Sequence, residues 1–143
     1  QRKKAPGSRL KIGYLSFCFK RHSVGWLARW LLKHHDTSRF EIHGYFVNSK
    51  KIQDPLQDWY INQVEKPYRA GFSSLEIAEQ IYQDEIDILI DLDSITLDIS
   101  CEVMALKPAP IQVSWLGLDA SGIPNVDYFI ADSYVLPESA PDY

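Results

Sequence analysis

Apolar and polar positions fall along this chain in blocks, and each change of period marks a predicted element. Residues 10–16 (LKIGYLS) are a short apolar run of strand type. Residues 24–35 place Trp26, Leu27, Trp30 and Leu31 at i, i+1, i+4 and i+5, which predicts a helix that buries that face. FEIHGYFV, residues 40–47, alternates and favours a second strand. Residues 49–69 read as irregular around Pro55 and Pro67, with a short helix over 56–63. Ser73-x-x-Glu76 is a capping box opening a helix predicted to bury Leu75, Ala78, Ile81 and Tyr82. IDILIDLD, residues 86–93, is a near-continuous apolar run of the sort a buried parallel strand presents. A short helix over 99–106 stops at Lys107-Pro108, and IQVSWLG (111–117) and VDYFIAD (126–132) predict two more strands.

Strand, helix, strand, helix, strand, helix, strand, strand is the order of an α/β fold, here a three-layer, Rossmann-like, doubly wound and mainly parallel sheet. Such sheets bind ligands beyond the carboxyl ends of their strands. The loops that follow Ser16, Asp91, Gly117 and Asp132 are therefore the places to search for chemistry.

Composition narrows the function classes. The chain has 143 residues, 45% of them hydrophobic and 13% aromatic, which suits one folded domain and excludes a disordered chain. The first nine residues hold four of the 15 basic side chains and no acid, so the rest carries 11 basic against 19 acidic groups. A surface that tracks phosphates needs the opposite sign, so nucleic acid is excluded as the expected partner. No run approaches the roughly 18 apolar residues of a spanning helix, and residues 1–9 lack the apolar core of a signal peptide. They read as a linker or a cut end, with residues 10–143 as the domain. Cys18 and Cys101 fit neither zinc nor CxxC spacing and read as two buried free thiols in a reducing, cytoplasmic compartment.

Three stretches carry candidate chemistry. Asp91-Leu-Asp93 ends an apolar strand, and paired carboxylates there can hold Mg²⁺ in a phosphatase or a metal-dependent sugar transferase. The phosphatase signature D-x-D-x-T is not met, because Thr96 comes one place late, and surface acids at a strand end explain the pair more simply. Lys20, Arg21 and His22 stand at a strand end and a helix start, where an anion binds well. A neutral His22 can also take a proton from a hydroxyl near pH 7, typically worth about 10²–10⁴-fold in rate. The plainer alternative is two solvated cations and a helix-start histidine. His34 and His35 read as helix-dipole partners or surface groups, and His43 as structural. WLGLDASG, residues 115–122, either lets a ligand reach backbone N–H groups or makes a tight turn.

LKPAPIQVSWLGLDASG (106–122), together with LKIGYLS, FKRHS and YFIAD, resembles the catalytic region of the O-GlcNAc transferase family, which includes the plant SPINDLY-type proteins. The similarity runs from about Leu10 to Asp132. It implies the N-terminal lobe of a two-lobe GT-B catalytic region, with the second lobe absent here and tetratricopeptide repeats ahead of it in the parent. The implied reaction is inverting and metal-independent, moving a GlcNAc-like sugar from UDP-GlcNAc or a related sugar nucleotide to protein Ser or Thr. No cofactor is implied. His22 falls on the family's functional histidine, with Ser23, Leu116, Gly117 and Asp119 expected to bind substrate. Where the family has an Asp four places before this His, Cys18 stands, and Ser23 stands where Pro commonly follows it. The chain alone is expected to be inactive. Its implied partners are a sugar-nucleotide donor, a protein acceptor and the rest of the parent chain, with no nucleic acid and no membrane. The alternatives are a non-catalytic protein-docking module of the same fold and a Mg²⁺ phosphatase using Asp91 and Asp93.

Overall fold

A computed structural model describes residues 7–48, 53–118, 121–137 and 139. Six parallel strands form one sheet: β1 (Leu10–Ser16), β2 (Phe40–Phe46), β3 (Lys66–Arg69), β4 (Ile88–Asp91), β5 (Ile111–Trp115) and β6 (Tyr128–Ile130). Their order across the sheet is β3-β2-β1-β4-β5-β6, the doubly wound arrangement that the sequence predicts. β1 sits between β2 and β4, pairing Ile12 with both Ile42 and Ile88.

Helices α1 (Ser23–Lys33) and α2 (Pro55–Gln63) cover one core, built on Tyr14, Phe19, Ala28, Ile42 and Tyr60. Helices α3 (Ser74–Gln83) and α4 (Asp98–Ala105) are joined to a second core, built on Leu15, Tyr45, Ile77, Ile81 and Leu89. Period-2 alternation sends neighbouring strand residues such as Tyr14 and Leu15 to opposite cores.

Two helix faces differ from expectation. α1 buries Gly25, Ala28 and Leu32, an i, i+3, i+7 stripe, and leaves Trp26 48% and Trp30 52% exposed, with Leu27 and Leu31 beside them. Small residues win because a Cβ on Gly25 would stand 2.2 Å from the Lys20 carbonyl oxygen and 2.5 Å from that of Cys18. Only glycine lets α1 approach so closely. α3 opens on Ser73, whose Oγ accepts from the Glu76 N–H at 3.3 Å as the capping box requires. It buries Ile77, Ala78 and Ile81 but exposes Leu75 and Tyr82.

β3 (KPYR) is missing from the sequence reading because it is an exposed edge strand with no apolar run, the one sheet position that accepts Pro67. Asp91 and Asp93 are not surface acids but 2% and 1% exposed. Cys18 is buried as expected, whereas Cys101 is only half-buried. His35 is not a surface group either: it is half-buried, with Nε2 2.7 Å from the Tyr14 hydroxyl. His43 is structural as read, buried with Nε2 2.8 Å from Glu41.

Candidate functional site

β1, β4 and β5 are sheet neighbours and all parallel, so the loops at their carboxyl ends share one rim. Asp93 ties that rim together. Its carboxyl group accepts from the Ser16 hydroxyl at 2.8 Å, the Phe17 N–H at 2.7 Å and the Ser100 hydroxyl at 3.2 Å. Ser16 Oγ in turn accepts from the Cys18 N–H at 2.8 Å. Asp91, one layer down, accepts from the N–H groups of Asp93 at 2.9 Å and Ser94 at 3.1 Å. These bonds fold the chain back into the 3₁₀ turn Ser94–Thr96, where Ser94 takes φ 51°.

The β5 loop lies against the same residue. Leu116 has φ 76°, a left-handed value costly for a leucine, and it turns the chain so that Gly117 meets the Asp93 backbone. A Cβ on Gly117 would sit 2.6 Å from both the carbonyl carbon and the oxygen of Asp93. The β1 loop therefore rests on the side chain of Asp93 and the β5 loop on its backbone.

From Phe17 the β1 loop runs to α1 under a second carboxyl group. Asp54, the N-cap of α2, accepts from the Arg21 N–H at 3.1 and 3.2 Å and from Arg21 Nε at 3.1 Å. Phe19 anchors the middle of the loop between the rings of Phe46 and Tyr60, with centroids 4.9 and 4.7 Å away. Lys20 Nζ lies 3.2 Å from the centroid of the Phe17 ring.

His22 ends this loop as the N-cap of α1, exposed to solvent. Its Nδ1 accepts from the Val24 N–H at 3.3 Å. With Nδ1 spent on the helix, the neutral ring carries its proton on Nε2. In that tautomer it offers solvent a hydrogen-bond donor. Ser23, the first residue of α1, is exposed beside it, Leu116 and Gly117 are half-buried, and Asp119 lies outside the described residues.

Electrostatics at the rim follow from burial. Desolvation pushes the Asp91 carboxyl up to about 7, with the charge of Asp93 adding to the rise and the two backbone N–H groups opposing it. Burial pushes the Cys18 thiol up to about 12, with Asp93 again adding, so a neutral thiol stands where the family has an acid. Burial lowers the Lys20 ammonium, against the pull of the nearby acids. Although burial opposes it, the Arg21 N–H and guanidinium hold the Asp54 carboxyl below its ordinary value.

The phosphatase reading fails on this geometry. Both carboxyl groups of Asp91 and Asp93 are buried and already accept two or more hydrogen bonds from the chain, leaving no exposed nucleophile. Asp54 and Gly25 are the site residues that sequence reading missed, and it read Asp93 as a surface acid where the structure buries it. The signal for Asp93 was present: an acid inside so continuous an apolar run is buried with it, and a buried acid needs donors.

Comparison with known proteins places the chain in a family. The family description "Glycosyl transferase family 41" matches residues 1–143. A probable UDP-N-acetylglucosamine--peptide N-acetylglucosaminyltransferase SPINDLY from Arabidopsis thaliana is 34% identical over 140 residues, covering 94% of this chain and 15% of the relative. A UDP-N-acetylglucosamine--peptide N-acetylglucosaminyltransferase from Caenorhabditis elegans is 35% identical over 136 residues, covering 92% and 12%. Among solved structures, an O-GlcNAc transferase mutant from Thermobaculum terrenum superimposes with a TM-score of 0.84 at 29% identity, covering 93% of this chain and 26% of that one. The chain thus spans about 15% or less of the length of these two curated relatives.

Proposed function

The chain belongs to glycosyl transferase family 41, and on that premise we propose that it is the N-terminal lobe of a two-lobe catalytic region. That region moves a GlcNAc-like sugar from a sugar nucleotide, UDP-GlcNAc or a relative, to a protein Ser or Thr. The observation that carries the reading is the rim itself: two loops locked on Asp93, with His22 presenting Nε2 at the open edge.

In the reaction the acceptor hydroxyl attacks the anomeric carbon while the bond to the nucleoside diphosphate breaks, which inverts that centre. His22 Nε2–H and the Ser23 hydroxyl donate hydrogen bonds to donor oxygens, and Lys20 adds positive charge beside the start of α1. Leu116 and Gly117 offer backbone at close approach to the sugar, with Asp119 continuing that loop. The acceptor's proton passes to the departing nucleoside diphosphate. The scheme uses no divalent ion or cofactor, as the family resemblance implies. Closure of a second lobe over this rim aligns donor and acceptor, so the isolated lobe is inactive. Tetratricopeptide repeats ahead of the lobe and a cytoplasmic setting complete the proposal; among the described residues no helix is long and apolar enough to cross a membrane.

The test uses the longer parent protein with an acceptor peptide, a panel of UDP- and GDP-sugars, and EDTA. Sugar transfer that survives EDTA supports the reading and names the donor. A folded parent carrying a second lobe that turns over no donor contradicts it.

A further inference from the structure

On the face of the sheet away from α3 and α4, α1 and α2 leave a groove of about 460 Å³ between them. Trp26, Trp30 and Trp59 line it, three of the four tryptophans in the chain, along with Arg21, Arg29 and Lys33. Positions 26, 30 and 33 are one stripe of α1, about 10 Å long at the helical rise. Trp26 and Trp30 belong to the face that the hydrophobic pattern expects to be buried, and nothing in the described chain covers them.

The cations in the groove are arranged to receive carboxylates. Arg29 stacks over both Trp26 and Trp30, 5.1 and 4.9 Å from their centroids, and Lys33 lies 5.3 Å from that of Trp30. A guanidinium held against ring faces keeps its in-plane N–H donors open at the edge, where a carboxylate takes two at once. Among the described residues neither Arg29 nor Lys33 has an acidic side chain within ion-pair distance, although the chain as a whole is acidic at −4. Among the described residues no acidic side chain lines the groove. Sugar is a poorer match, since cations lie over the rings of Trp26 and Trp30.

We propose that the α1–α2 groove is a docking site for an acidic amphipathic helix of a partner protein, with large apolar side chains entering between Trp26, Trp30 and Trp59 and carboxylates meeting Arg29 and Lys33. This inference does not depend on the transferase reading, because its test positions Trp26, Arg29 and Lys33 lie on α1, outside the β1 loop that carries His22.

The probe is a fluorescein-labelled 16-residue peptide with Leu at i, i+3, i+4 and i+7 and Glu at its other positions, beside a counterpart with Lys for each Glu. Anisotropy with the intact protein is expected to show binding of the Glu peptide alone, weakened at least tenfold by R29E or K33E and falling as salt rises. Lys33 is exposed and Arg29 half-buried, and unchanged thermal melting confirms the fold of both variants. A Trp26→Ala variant is expected to weaken binding without altering the salt dependence. Equal binding of both peptides, no binding, or insensitivity to R29E and K33E overturns the proposal. So does self-association that Trp26→Ala abolishes in sedimentation, which would make a second copy the occupant. Binding that appears only when flanking sequence is removed also overturns it, because the groove would then belong to the rest of the chain.

Discussion

Replacing Asp93 with alanine removes the side chain that holds the start of the β1 loop. The Phe17 N–H at 2.7 Å and the Ser16 hydroxyl at 2.8 Å both lose their acceptor in a site that is 1% exposed. A buried donor left unsatisfied costs about 1–3 kcal/mol, so the two together cost about 2–6 kcal/mol. That is a large part of the roughly 5–15 kcal/mol by which domains are stable. The third donor, Ser100 at 3.2 Å, is longer and can rotate toward another acceptor, so it adds little. Asp93→Asn keeps one oxygen for the Phe17 N–H, while its amide can face the Ser16 hydroxyl turned round as acceptor. It should cost less, about 1–2 kcal/mol. Urea unfolding followed by tryptophan fluorescence measures both variants. Alkylation of Cys18, blocked in the wild type by burial and a thiol pushed up to about 12, should become detectable in Asp93→Ala. A loss below about 0.5 kcal/mol in Asp93→Ala would refute the account of how the rim is held.

Two further outcomes follow from the same network. Gly25→Ala puts a methyl 2.2 Å and 2.5 Å from two backbone carbonyl oxygens; despite alanine's better helix propensity of about 1 kcal/mol, it should destabilise by about 2 kcal/mol or more, read by urea unfolding. Asp91 has a folded-state pKa of about 7, above the unfolded value near 4, so the folded chain holds this proton more tightly. Its contribution to stability is therefore full below about pH 4 and declines, by on the order of 4 kcal/mol, as pH rises to about 7. Asp91→Asn should flatten the stability profile over that interval, and an unchanged slope would show that Asp91 is not the group responsible.

What the sequence revealed depended on how far each feature stands out from its neighbours. β4 was legible because a strand buried on both faces reads as a near-continuous apolar run, and Ser73-x-x-Glu76 gave the start of α3 directly. β3 was not, since an edge strand buries little and KPYR has nothing to show. The face of α1 misled for a physical reason. Large apolar residues normally mark the buried side, but here the closest approach belongs to Gly25 and Ala28, and the tryptophans face the groove. His22 was legible as a loop residue at a strand end, but its tautomer depended on a cap to Val24 that spacing alone does not reveal. Asp91 and Asp93 were visible as a pair, yet their role turned on burial, which made them supports of the rim and not ligands within it.

The most direct test of the account compares His22→Asn with wild type in the parent protein. Asparagine is a good N-cap, so it keeps the bond from the Val24 N–H while removing the Nε2–H donor. The account predicts a variant that unfolds within about 0.5 kcal/mol of wild type but transfers sugar at least about tenfold more slowly. Full transfer activity in a stable His22→Asn protein would contradict the claim that this rim, through His22, forms half of a glycosyltransferase site.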